Sequence, residues 1–381
     1  MSSNRRGKRP SKETVMKLWV AAGGRCQFEG CNKRLYCDDL TWEEFNGSNV
    51  AHITAASPDG PRGNEKSGVM SDKLENLMLL CPTHHKEIDS VIERFGEEYL
   101  KEMKKTQEQK VQELLEGMNY PETENVILES LVKASQKVSV DHKQTADAVR
   151  SIKKRPASIC PTILSINSYG DYSSKEYWNM LVQRMSEDFE VQVERRFKSY
   201  PTLSAAVFPI APIPLVVKLG ELFGDKRCVD VFQKSRTPDT WIWQSEEMTN
   251  SFYVNKIINQ EGECSEVAII ISLTAEITVE RVLPICNFGI IYQISATKKD
   301  VDSIKSCKDL KAFWKSFQSV CNQIKNDDLL KQAAVFPAIP VSAAFEIGRR
   351  HMPGVHPTLQ IYDDCNGFFH ALDIGGNEYY E

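Results

Sequence analysis

Two short pairs of metal-binding residue types constrain this chain more than any other feature in it. Cys26 and Cys31 form a C-x4-C pair, and Cys81 and His84 form a C-x2-H pair. Each spacing lets two donors turn back on one ion, and this mixture of thiolates and an imidazole is what a tetrahedral structural zinc requires. The bland alternative is three buried thiols and a surface histidine. Eleven cysteines behind the polar N-terminus MSSNRRGKRPSKE suit reduced thiols and metal ligands, not the disulfide framework of a secreted protein.

At 381 residues the chain is long enough for two or three domains of about 100–200 residues each. Its net charge of -5 excludes a uniformly basic coat, so any contact with nucleic acid must come from local patches. No stretch reaches the roughly 20 apolar residues of a membrane span, and the most apolar one, FPIAPIPLVV at 208–217, is broken by prolines. A soluble protein of the bacterial cytoplasm, with no membrane partner, is expected.

The sequence divides into four stretches. Residues 1–13 read as a flexible basic arm, either solubilising or contacting phosphate. Residues 14–96 hold the Cys/His pairs. Val15, Leu18, Trp19 and Ala22 fall at helical spacing before Gly23-Gly24, and a second helix starts at Pro82 with Ile88, Val91, Ile92 and Phe95 on one face. Residues 97–156 read as a helical connector used for docking or dimer contacts. It consists of a charged helix with Met103, Val111, Leu114 and Leu115 as a thin stripe, then a second polar helix over about 122–153. From 157 to 381, runs such as CPTILSIN, SEVAIIISL and FGIIYQISA alternate with helical patterns, which indicates an α/β domain.

That last stretch contains a repeat. AAVFPIAPIPLVVKLGE at 205–221 and AAVFPAIPVSAAFEIGR at 333–349 align without a gap, 128 residues apart, and each precedes a strand-like segment, VDVFQ or LQIYD. A duplicated strand, proline-bearing loop and helix implies two fused Rossmann-type units.

Between the two metal-binding pairs lie GSNVAHITAASPDGPRGN and LENLMLLCPTHHKEID, which present His52, Asn76 and His85 in order. Over roughly residues 14–93 the chain resembles the HNH endonucleases, ββα-metal enzymes that hydrolyse phosphodiesters. Such hydrolysis needs a base active near neutral pH and a cation to stabilise charge on the phosphate. The resemblance implies His52 as general base. His85 follows His84 directly on a helix, where adjacent side chains diverge by about 100°. It can therefore face a cleft and bind catalytic Mg2+ or Mn2+. Asn76 would brace the loop carrying His52 or help position the metal. Many family members have an acidic metal ligand just before the base, where this chain has Ala51. The substitute would be Asp38, Asp39 or Asp89, or more water.

The pattern FPIAPIPLVVKLGELFGDKRCVDVFQKSR, followed by TWIWQ, looks like the SAVED domain, a fused pair of CARF-like units, over about 157–381. The whole is then an α+β multidomain chain resembling the SAVED-linked nuclease effectors of CBASS anti-phage defence. That resemblance implies a cyclic di- or oligonucleotide activator, cyclic GMP-AMP-like. It also implies a dimer that assembles further on binding the messenger, and degradation of double-stranded DNA with little sequence preference. Ligands of open α/β sheets sit beyond the carboxyl ends of strands, where helix N-termini favour anions. Candidate ligand residues are therefore Pro209 and Pro212 at a strand exit, Arg236 for phosphate, Trp241, Trp243 and Tyr362 for stacking, and Ser272, Thr274 and Arg349. The strand-like alternation in T-W-I-W more often marks core positions, and Ser272 and Thr274 serve equally as turn caps. Two rival readings remain: a zinc-dependent DNA-binding regulator under small-ligand control, and an HNH nuclease whose C-terminal domain recognises modified DNA.

Overall fold

A computed structural model describes residues 9–131 and 139–376, and it divides at Asn119/Tyr120 into two units. Residues 1–8 of the expected basic arm lie outside the described residues. The arm's last residues are not loose. Ser11 caps helix α1 (Lys12–Ala21) by accepting from the Thr14 amide, and its own amide donates to Asp72. Helix α1 stops where Gly23 and Gly24 take positive φ of 61° and 67°, a conformation that favours glycine.

The first unit is built on a two-stranded antiparallel sheet of β1 (Asn49–His52) and β2 (Leu77–Leu80), with His52 opposite Leu77. A short helix, α2 (Ser67–Met70), lies in the connection between them, and α3 (Pro82–Ser90) follows β2 directly. All four residues of β2 are buried, so it reads as a continuous apolar run where an exposed strand would alternate. Proline opens α3, a position where its missing N–H costs no hydrogen bond. The helix is shorter than its apolar spacing suggests: it ends at Ser90, and Val91 and Ile92 are exposed while Phe95 turns back into the core. Helix α4 (Glu97–Glu116) packs Leu100 and Met103 into the same core, and the Gln107 side chain donates to the Ala22 carbonyl.

The expected connector over 97–156 is therefore corrected. Its first helix belongs to the first unit, and Glu122–Ser130 is strand β3 of the second. Helix α5 begins only at His142 (His142–Ser151). In ETENVILES only Val126, Ile127 and Leu128 are apolar, so the segment reads as a charged surface. In the fold, Glu124 is buried against Arg196 and Thr162, which pairs its charge inside an interior strand.

The remaining elements of the second unit are β4 (Arg155–Pro156), β5 (Thr162–Ile166), α6 (Lys175–Phe189), α7 (Arg195–Ser199), β6 (Ser204–Ile210), α8 (Ile213–Phe223), β7 (Val229–Val231), β8 (Phe252–Ile258), β9 (Glu263–Ser272), α9 (Val279–Val282), β10 (Phe288–Ala296), α10 (Cys307–Asn322), β11 (Gln332–Ala338), α11 (Val341–Arg349), β12 (Thr358–Asp364) and β13 (Phe368–Ile374). One sheet runs β4-β3-β6-β7, with β5 also on β3, and its pairs are parallel. The other runs β13-β12-β11-β9-β10-β8, parallel in the middle and antiparallel at both edges. A single core joins residues of both sheets through α6, α8, α10 and α11, and each sheet contributes to a further small cluster of its own.

The sequence repeat is a structural repeat. β6–α8–β7 and β11–α11–β12 follow the same path, one in each sheet. Phe208 stacks on Phe232 at 4.7 Å in the first copy, and Phe336 on Tyr362 at 4.6 Å in the second. Helices α8 and α11 cross at the paired glycines. A Cβ on Gly220 would collide with the Phe345 carbonyl oxygen, and one on Gly348 with the Val217 carbonyl oxygen. Phe345 and Val217 are themselves repeat equivalents, so the contact is a local pseudo-twofold in which only glycine lets the two backbones meet.

Candidate functional site

The loop after α1 supplies Cys26 and Cys31, while the N-cap and first turn of α3 supply Cys81 and His84. The four donor atoms lie within 4.8 Å of one another. Ligands at about 2.0–2.3 Å from a tetrahedral zinc stand closer than that, so small side-chain adjustments complete the shell. His84 Nδ1 lies 3.2 Å from Cys81 Sγ and 3.6 Å from Cys26 Sγ, and the Cys81 amide donates to Cys26 Sγ at 3.3 Å. Phe28 stacks flat on His84 with ring centroids 4.0 Å apart, which fixes the plane of the imidazole. Burial pushes the Cys26 thiol up to about 12 despite backbone amides from Cys81 and Phe28 that pull it down. Three thiols gathered in one buried spot need a cation to become thiolates, so the donor chemistry and burial fit a structural zinc.

His52 ends β1, half-buried, with Nε2 3.0 Å from the Ser71 carbonyl oxygen. A carbonyl only accepts, so Nε2 carries the proton and Nδ1 keeps its lone pair. The main chain therefore selects the tautomer a general base needs.

Asn76, 1% exposed, closes the long excursion between the two strands. Its Oδ1 accepts from the Thr54 amide, and its Nδ2 donates to the Thr54 and Met70 carbonyls at 2.9 and 3.2 Å. Of its two expected roles the geometry matches bracing, with the carboxamide bonded to the main chain on both sides of the excursion.

His85, one residue past His84, is about one-third exposed, and its Nε2 lies 3.5 Å from Asp89 Oδ2 one turn further along α3. Of the other candidate carboxylates, Asp38 accepts from the Leu40 and Thr41 amides, bonds that hold it below the usual carboxylate range. Asp39 is bonded to Arg34, which lies over Trp42. The residue that sequence reasoning missed is Arg62. Its buried guanidinium donates to the Ile53 and Ile88 carbonyls at 2.6 and 2.7 Å and to Asp89 at 2.8 Å. It sits at positive φ in a loop with no periodicity, so no linear signal marks it.

In the second unit the strand exits are occupied as the repeat implies. Pro209 and Pro212 are buried at the exit of β6 into α8, and Ser272 lies opposite Ala338 at the carboxyl ends of β9 and β11. Thr274, half-buried, donates its amide to Ala338. Tyr362 is half-buried against Phe336, and Arg236 is exposed in the loop after β7. Three candidates are corrected. Trp241 is 1% exposed, edge-on to Phe208 in the core. Ser272 is 2% exposed, and its hydroxyl accepts from the Ile277 amide. Arg349 is at the opposite end of α11 from the strand exit, buried in a two-bond pair with Glu346. Trp243, half-buried, walls a cavity of about 10 Å³, far too small for a nucleobase.

The second unit is thus a duplicated, largely parallel α/β domain with two equivalent strand exits. Residues 185–374 match the family model of SAVED, the SMODS-associated and fused to various effectors sensor domain, so this unit carries a SAVED sensor domain. No curated protein matches the chain. Among solved structures, the Acinetobacter baumannii Cap4 SAVED/CARF-domain containing receptor with the cyclic trinucleotide 2'3'3'-cAAA is 12% identical, with a TM-score of 0.42 over 76% of this chain and 61% of that one. The same receptor with 3'3'3'-cAAA gives 12% and 0.43 over 76% and 60%. The Moraxella osloensis Cap4 SAVED/CARF-domain containing receptor gives 14% and 0.38 over 76% and 60%. The chain thus spans about three-fifths of the length of these receptors. Among the described residues, no helix is long and apolar enough to cross a membrane.

Proposed function

We propose that this chain is a metal-dependent DNA endonuclease of the HNH type, switched on in anti-phage defence by a cyclic di- or trinucleotide bound to its SAVED domain. The observation that carries the nuclease half is the environment of His52. It stands at the end of the first strand of a strand–strand–helix unit pinned by three cysteines and a histidine, with its Nδ1 lone pair kept free by the Ser71 carbonyl.

In this reading His52 Nδ1 removes a proton from water as that water attacks the scissile phosphorus, and the P–O bond to the departing sugar oxygen breaks. A divalent Mg2+ or Mn2+, when bound, stabilises the charge that grows on the phosphate and leaving oxygen. His85 would hold that ion, and Asn76 keeps the His52 loop in place. Cys26, Cys31, Cys81 and His84 would hold zinc and take no part in the chemistry. For the sensor half, the two equivalent strand exits at Pro209–Pro212 and Pro337–Pro340 suit a ligand that repeats its own base and phosphate. Binding there would favour an oligomer in which nuclease domains reach the duplex.

The test is plasmid cutting by purified protein with Mg2+ or Mn2+ and a panel of cyclic di- and trinucleotides. Cutting that depends on one of them and is lost in His52→Ala supports the reading. Equal cutting with and without every messenger, or cutting that survives His52→Ala, overturns it. The rival reading is a zinc-stabilised DNA-binding regulator, in which Cys26, Cys31, Cys81 and His84 would hold zinc with no need of either imidazole. Messenger-dependent DNA binding without cutting would establish that alternative.

A further inference from the structure

An HNH-type site with Ala51 beside its base is one carboxylate short, and Ala51 itself is packed in the core, 1% exposed. We infer that the missing ligand for the catalytic divalent ion is Asp89, paired with His85 on α3 and aimed by Arg62. This assignment rests on the nuclease reading for its purpose, though not for its geometry.

His85 and Asp89 are four residues apart, so a helix places them on one face. Both side chains are about one-third exposed, at 35% and 36%, so a partly hydrated ion can reach them. Their facing atoms, Nε2 and Oδ2, are 3.5 Å apart. Two neighbouring ligands at about 2.1 Å from an octahedral ion stand roughly 3 Å apart, so a small rotation closes the bite. Of the three candidate carboxylates, Asp89 is the one paired with His85; Asp38 caps a turn and Asp39 is bonded to Arg34.

Arg62 supplies the remainder of the device. Its side chain is 5% exposed and binds Asp89 Oδ1, leaving Oδ2 as the oxygen nearer His85. The same guanidinium donates to the carbonyl of Ile53, the residue after His52, and to that of Ile88 in α3. One planar fork thus braces the strand that carries the base against the helix that carries the metal ligands while orienting the carboxylate. Lysine, a point donor on a flexible stem, cannot satisfy three acceptors in that plane. Hydrogen-bonded support of this kind is how ligating carboxylates are generally held.

The experiment titrates the zinc-loaded full chain with Mn2+, reading binding directly by calorimetry and by the electron paramagnetic resonance of free Mn2+. Asp89→Asn and Arg62→Lys are each expected to weaken Mn2+ binding at least tenfold with zinc content unchanged, while Asp39→Asn leaves it unaltered. Wild-type affinity in Asp89→Asn, or loss of binding in Asp39→Asn, overturns the assignment. Should a variant fail to fold, Fe2+ with ascorbate and peroxide on the wild-type chain answers the same question: backbone cuts beside 85–89 support it, and cuts confined to 38–39, or none, overturn it. Mn2+ binding that needs Asp89 in a protein that never cuts DNA would sink the nuclease reading alone. Cutting with unchanged Mn2+ dependence in Asp89→Asn would sink this assignment alone.

Discussion

The two units reach a defined structure by opposite means. The first has strands of four residues and a small core, so it relies on cross-links between distant segments: the Cys26–Cys31–Cys81–His84 cluster, the buried Arg62 fork and the Asn76 brace. The second has strands of up to ten residues, a core shared by two sheets, and a glycine crossing at which two helices touch backbone to backbone. A small domain buries too little apolar surface to hold itself by packing alone, whereas a larger one does not need such staples.

The largest expected effect breaks the comparison at the first unit. Stripping metal with a strong chelator, or Cys81→Ser, is expected to unfold the N-terminal unit while the second keeps its own transition, because structural zinc can supply about 10 kcal/mol of folding free energy in small metal domains. Calorimetry resolving two transitions checks this, and a single transition that moves as one refutes the division of labour. Next comes chemistry without folding: His52→Ala is expected to reduce DNA cutting by about 10²- to 10⁴-fold, the usual contribution of a general base, with zinc content and both transitions preserved.

Smaller effects sharpen the second unit. In an isolated helix Gly348→Ala would stabilise by about 1 kcal/mol. At the crossing the added methyl meets the Val217 carbonyl, and overpacking of that kind costs about 1–3 kcal/mol. The sign is therefore expected to reverse, with the second transition falling and the first unmoved. Gly220→Ala should behave alike, and a Gly348→Ala protein that melts higher would show the crossing to be loose.

The smallest effect is one of pH. Burial lowers His351 and His356 below the ordinary histidine value, outweighing for His351 the bond to the Pro357 carbonyl and the nearby Glu221 that raise it. The unfolded chain therefore takes up protons first. The second unit should hold its full stability above about pH 6.5 and lose some as pH falls through the depressed values. Melting against pH checks this, and His356→Gln should flatten the slope.

Sequence and structure part where contacts are long-range. The clustering of Cys26, Cys31, Cys81 and His84 and the duplicated strand–proline–helix are legible because each is a local spacing or a direct self-similarity. Strand β3 reads as a helix in the sequence because its burial depends on Arg196 and Thr162, far along the chain. For Trp241 and Ser272 the sequence leaves ligand contact open beside a core position and a turn cap, and the fold takes the latter in each case, while Arg349 is paired internally. Residue type says what a side chain can do, and only its surroundings say what it is already doing.

The linear order of residues was thus enough to determine that the chain gathers three thiols and an imidazole in one place and that its C-terminal half is built twice, since both follow from spacing along the chain. Tertiary structure alone decided the tautomer of His52, the reach of Arg62 to both Ile53, just after β1, and α3, and the meeting of Gly220 with Gly348. Those depend on hydrogen bonds and backbone approaches between segments that come together only when the fold closes, and no pattern in the linear order records them.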